Sequence, residues 1–126
     1  MLIKEVMRKS VFVSPGETLK NAAKIMAQSN ISGLLIGSEK KLQGIITKED
    51  LVRHFGHKEK VSEIMTKTVV GVKAGADIKE AVSIFRKNRI SILPVFDNNK
   101  ISGVVSSKDV MKIPASDADD DDFLFR

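Results

Sequence analysis

Residues 19 to 52 superimpose on residues 78 to 111 at a constant offset of 59, without a gap, and no other feature of the chain restricts its fold so tightly. Lys20 meets Lys79, Ala22 meets Ala81, Ile31 meets Ile90, Ser32 meets Ser91, Leu34 meets Leu93, Lys41 meets Lys100, Gly44 meets Gly103 and Asp50 meets Asp109. Upstream the offset falls to 58, so that Val6-Met7 meets Ile64-Met65, and one residue is gained near Gly71. Self-similarity of this period marks a repeat architecture. Each copy holds about 50 residues, too few to bury an adequate core alone, so the copies are expected to pack face to face.

Both copies read alike. Leu19, Ala22, Ala23 and Met26, like Ile78, Ala81, Val82 and Phe85, fall at i, i+3, i+4 and i+7, the pattern of an amphipathic helix. Asp77, with Glu80 three residues on, marks the start of the second of these. A strand follows at Leu34 to Gly37 and at Leu93 to Phe96, then a polar turn at Ser38 to Lys41 and at Asp97 to Lys100. A second strand spans Leu42 to Ile46 and Ile101 to Val105. Short helices close the copies, from Lys48 to Phe55 before Gly56, and from Lys108 to Ile113 before Pro114. Apolar segments at Val11 to Val13 and Val69 to Val72 supply a leading strand. The expected fold is α+β, a tandem of βαββα units, with copies at 1–57 and 58–113 and a flexible acidic tail at 114–126.

Composition narrows the functions open to such a fold. The chain has no Cys, which excludes disulfides, thiolate metal sites and cysteine nucleophiles. No apolar run approaches the roughly 18 residues of a spanning helix, and no secretory signal opens the sequence, so a cytoplasmic protein is expected. Five Asp against one Arg leave residues 114 to 126 at −4, and with a formal total of +5 the rest of the chain carries +9. A body of that charge attracts anions. Trp and Tyr are absent, and no zinc module or recognition-helix pattern accompanies Arg8, Lys9, Lys40, Lys41, Lys58, Lys60 and Lys67, so nucleic acid is the less favoured anion. His54 and His57 lack an acidic or thiolate neighbour and do not read as a metal pair. No phosphate-binding glycine loop, nucleophile elbow or Ser/His/Asp set is present, so no enzyme and no catalytic cofactor is expected.

Three segments recur in order in both copies: VMRKSVFVSPGETL and IMTKTVVGVKAGADI at the opening, NRISILPVFD in the middle of the second, and GIITKEDL and GVVSSKDV at the close. With these the chain resembles the CBS (cystathionine β-synthase) domain pair over nearly all of residues 1 to 113. The resemblance implies a pseudo-two-fold module with two clefts between the copies, often paired into a disc-shaped homodimer. It implies adenosine ligands, AMP, ADP, ATP or S-adenosylmethionine, and allosteric regulation of a partner protein that this sequence does not name, as in energy sensing.

Carried over residue by residue, the family's ribose motif falls on Thr47 with Asp50 and on Ser106 with Asp109. The chemistry suits it, because one carboxylate accepts from both vicinal ribose hydroxyls and a hydroxyl at a helix N-terminus stands where an anion is favoured. The same spacing also describes an ordinary helix start, a hydroxyl N-cap with an acid at N3, and duplication copies caps as faithfully as sites. The resemblance places the base against Ile31, Ser32, Gly33 and Leu34, and against Ile90, Ser91, Ile92, Leu93 and Pro94; core packing alone would also explain several of these. Pro94 is unusual, since proline is expected only at the edge or start of a strand.

Arg89 stands where nucleotide-sensing members such as the γ subunit of AMP-activated protein kinase hold phosphate, and Asn30 replaces it in the first copy. The second copy is therefore expected to be the better phosphate binder. Phe12, where the second copy has Gly71, is expected to narrow the first site. Two other readings stay open: a dimerisation or interaction scaffold with empty clefts, and a nucleic-acid-binding accessory protein. The tail's Phe123-Leu124-Phe125 reads either as a free end or as a segment docking into a groove.

Overall fold

The switch from helical to strand periodicity in each copy becomes, in the computed structural model, the order β-α-β-β-α twice over. The structure describes residues 1–56, 58–67 and 69–113. The first set is β1 (Phe12–Val13), α1 (Leu19–Ser29), β2 (Gly33–Gly37), β3 (Leu42–Thr47) and α2 (Lys48–His54). The second is β4 (Val72–Lys73), α3 (Ile78–Asn88), β5 (Ile92–Asp97), β6 (Lys100–Ser106) and α4 (Ser107–Met111). A 3-10 turn precedes each set, at Ile3–Glu5 and Val61–Glu63. The expected α+β class holds, with shifts at element ends: the second leading strand begins at Val72 rather than at Val69, and the last helix spans Ser107–Met111 rather than Lys108 to Ile113. The expected flexible tail, His57 and the stop at Pro114 lie outside the described residues.

Each long helix forms for the reasons its sequence gives. Thr18 caps α1 by accepting from the Asn21 N–H at 3.1 Å, and Leu19, Ala22 and Met26 bury one stripe. Asp77 caps α3 by accepting from the Lys79 N–H at 3.0 Å, and Ile78, Ala81 and Val82 are buried likewise. Both helices end on a left-handed residue, Asn30 at φ 53° and Arg89 at φ 50°.

The strands form two sheets, β1-β2-β3 and β4-β5-β6, each with a parallel outer pair and an antiparallel hairpin. Pro94 lies within the central strand of its sheet, opposite Val104, and not at an edge. The first copy shows why this is tolerated. There the equivalent residue, Leu35, donates its N–H to the Val11 carbonyl just before β1, whereas in the second copy pairing with β4 starts only at Val72 with Val95. Proline thus forgoes a donor on a flank where the ladder has not begun.

The chain divides into two compact units, Ser10–Val69 and Met1–Lys9 together with the described residues from Val70 on. Each unit has its own apolar core. In one, Val61 packs with Val13, Leu19, Ala22, Met26 and Leu34; in the other, Ile3 packs with Val72, Ala74, Ile78, Ala81 and Leu93. The leading segment of each copy is therefore built into the unit that holds the rest of the other copy, so a division at residue 57 is one of sequence and not of space. Backbone bonds repeat in both units: Leu19 N–H to Glu59 and Val61 N–H to Glu17 in one, Ile78 N–H to Met1 and Ile3 N–H to Ala76 in the other. Past the turn the segment adds a single bridge to the sheet, Thr66 to Ile45 and Arg8 to Val104. Glycine is required at the crossing, since a Cβ at Gly44 would press on the Thr66 carbonyl and one at Gly103 on the Arg8 carbonyl.

Candidate functional site

In the first copy the chain leaves β3 extended at Thr47 and turns into α2 at Lys48. A reciprocal capping box makes the turn: Asp50 N–H donates to the Thr47 hydroxyl at 3.4 Å, and Asp50 Oδ2 accepts from Thr47 N–H at 2.9 Å and from the Thr47 hydroxyl at 3.0 Å. Register brings the first core strand beside it. Gly33 pairs with Thr47, and Lys48 N–H donates to the Ser32 carbonyl at 3.0 Å. Ile31 and Ser32 are half-buried there, whereas Gly33 and Leu34 are buried. The helix-cap reading of Thr47 and Asp50 is thus realised, in the same place where the ribose motif was expected.

The second copy repeats the frame and changes the carboxylate. Ser106 hydroxyl accepts from Asp109 N–H at 3.0 Å, Ile92 pairs with Ser106, and Ser107 N–H donates to the Ser91 carbonyl at 2.9 Å. The Asp109 carboxylate is held from the start of the chain, by Arg8 Nε to Oδ2 at 2.6 Å and Arg8 Nη2 to Oδ1 at 3.0 Å. Its side chain is 15% exposed and that of Arg8 is 58% exposed. Sequence reasoning counted Arg8 only as surface charge. The partner lies 101 positions away, and the equivalent place at the Asp50 junction is taken by Thr66, so no local pattern points to the pair.

Of the residues expected around a base, Leu34 and Leu93 are fully buried in the two cores and offer only backbone to a ligand. Ile92 and Pro94 are buried, Ser91 is half-buried, and Ile31 and Ile90 pack partly buried against the cores. Arg89 is exposed at the end of α3, as is Asn30 at the end of α1. Asparagine is at ease in the left-handed region; arginine is not, so Arg89 holds its place at a cost of roughly 1–2 kcal/mol. Such strain is a pointer to function. The expectation that Gly71 leaves more room than Phe12 needs correction, because a Cβ at Gly71 would run into the Phe96 ring. The residue equivalent to Phe96 is Gly37, so in the second copy the aromatic residue stands on the central strand and in the first, as Phe12, on the leading strand.

A separate apolar groove of about 550 Å³ lies between α1 and α2, lined by Ala23, Met26, Ala27, Lys48, Leu51, Val52 and Phe55. None of the expected ligand residues lines it. Val52 and Phe55 are 80% and 75% exposed, and Met111, the equivalent of Val52 on α4, is 59% exposed. Among the described residues no helix is long and apolar enough to cross a membrane, and no cluster of three or more His, Asp or Glu could hold a metal ion.

Two copies of a strand–helix junction, each with a hydroxyl residue and an acid beside the first core strand, define a duplicated α+β module. The CBS domain model matches residues 3–57 and 61–116, and the chain belongs to the CBS domain family. It is 35% identical over 109 residues to the inosine-5'-monophosphate dehydrogenase of Methanocaldococcus jannaschii, a match that covers 85% of this chain and 22% of that enzyme. The CBS domain pair of protein MJ0100, solved in complex with 5'-methylthioadenosine and S-adenosyl-L-methionine, superimposes with a TM-score of 0.79 at 31% identity, covering 87% of this chain and 92% of that one. The CBS-domain-containing protein ATU1752 from Agrobacterium tumefaciens gives a TM-score of 0.81 at 26% identity, covering 89% and 98%.

Proposed function

We propose that this protein is a cytoplasmic regulatory module that binds an adenosine-type ligand, AMP, ADP, ATP or S-adenosylmethionine, and passes its occupancy to a partner without itself catalysing a reaction. The reading is carried by the duplicated junction, in a chain 31% identical to a CBS pair solved with two adenosine ligands. Asp50 and Asp109 stand at the ribose position of the two copies, Thr47 and Ser106 stand beside them, and the backbones at Ile31 to Leu34 and Ile90 to Pro94 frame the base. Arg89 is the phosphate contact. Ligand shifts a partner's state only by its difference in affinity for two arrangements of the protein. Thermal shift with the four ligands tests this: at about 100 times Kd the fold gains ~2.7 kcal/mol. No shift with any of them at millimolar concentration overturns the reading.

The module also self-associates as a homodimer. Val52 and Met111 support this, since duplication has kept a large apolar side chain exposed at the same helical position in both copies. Sedimentation of the wild type and of Val52→Lys tests it; a wild type that stays monomeric at high micromolar concentration overturns it. Dimerisation indifferent to all four ligands would favour a scaffold, and salt-sensitive retention on polynucleotide would favour nucleic-acid binding.

A further inference from the structure

Resting on the nucleotide reading above, we infer that Arg8 closes the Asp109 site to ribose and thereby makes the two copies unequal, with the Asp50 site the open one. A vicinal diol donates two hydrogen bonds to the edge of a carboxylate where both oxygens present converging lone pairs. Arg8 spans that same edge, Nε on Oδ2 and Nη2 on Oδ1. This is the fork geometry that arginine makes with carboxylates and that lysine or threonine cannot reproduce. The lone pairs left over on Asp109 diverge, so neighbouring hydroxyls cannot reach both oxygens.

Among the described residues the Asp50 junction has no such guard. Thr66 occupies the place of Arg8, bridged to Ile45 as Arg8 is to Val104. Among the described residues Asp50 accepts hydrogen bonds on Oδ2 alone, and all come from Thr47. A diol displaces at most a neutral hydroxyl and one backbone contact there, whereas at Asp109 it must break a charge-assisted pair at both oxygens. This reverses the order expected from Arg89, because a phosphate contact is of little use while the ribose acceptor beside it is engaged. Arg8 is thus a specificity-determining residue acting on which repeat binds.

Calorimetric titration of the full-length protein with AMP, and with 2'-deoxy-AMP as the control lacking the diol, tests the assignment. The wild type is expected to take one AMP per chain, and that binding is lost in Asp50→Ala. Arg8→Thr, which installs the residue of the other copy, gains a second equivalent or tightens the weaker site about fivefold, the scale of releasing one ion pair. Arg8→Lys, which keeps the charge and loses the fork, gains less, and 2'-deoxy-AMP gains nothing from either. Asp50-dependent AMP binding that is unchanged or weakened in Arg8→Thr overturns the inference alone. Absence of binding of AMP, ADP, ATP and S-adenosylmethionine alike to both wild type and Arg8→Thr overturns the nucleotide reading and the inference with it.

Discussion

At the junction of β3 and α2 the acid turns back on its own hydroxyl, while at the junction of β6 and α4 it reaches out to an arginine from the far end of the chain. The backbone at the two places is nearly the same: Thr47 and Ser106 are both extended N-caps, and each accepts from the acid three residues on. What differs is how each carboxylate is satisfied. Asp50 completes a capping box within its own helix turn, whereas Asp109 has given up that bond for a pair that ties the leading segment to the unit. One junction is a local structure and the other a tertiary one. Duplication preserves the frame of a site readily and its electrostatics hardly at all.

The comparison breaks first at the segment that carries Arg8. Ile3 is fully buried in the core of that unit, so Ile3→Ala should cost about 2–5 kcal/mol in urea unfolding. A loss below about 1 kcal/mol would mean that the segment is not fixed there, and the contrast at Asp109 would go with it.

The next test sharpens the contrast between the caps. Thr47→Ala removes a hydroxyl that both accepts from Asp50 N–H and donates to its carboxylate, and should cost about 1–2 kcal/mol. Ser106→Ala removes only an acceptor and should cost about 0.5–1 kcal/mol. Equal losses by thermal denaturation would show that the two junctions are energetically alike.

The smallest effect concerns the helix ends. Arg89→Asn, which copies Asn30, should stabilise the protein by about 0.5–1 kcal/mol by placing a residue suited to the left-handed region. Weaker binding of AMP by that stabilised variant would mark Arg89 as kept for a ligand. Destabilisation would show that Arg89 earns its conformation by packing instead.

The repeat, the order of elements and both hydroxyl–acid pairs were legible in sequence, because period, turn residues and caps are local signals. The exchange of leading segments was not, since pairing between segments far apart in the chain leaves no local pattern. Its one trace was the drop in offset from 59 to 58, which falls between Arg8 and Phe12, where the chain passes from one unit to the other. The Arg8–Asp109 pair left less still, one basic residue among many. Pro94 and Gly71 misled in a shared way. Each was judged by its own strand, while the deciding neighbour, the late start of β4 in one case and the Phe96 ring in the other, lay on a different segment.

The exchanged segments also bear on how such a chain could have arisen. A single repeat that kept this arrangement would have no place in its own core for the residue now seen as Ile3 or Val61, and a hole where a neighbour's residue belongs. Two identical chains could satisfy each other by trading those ends, a domain-swapped pair. Gene fusion would then turn a concentration-dependent partnership into one polypeptide, in which neither repeat completes its core without the other's first nine residues.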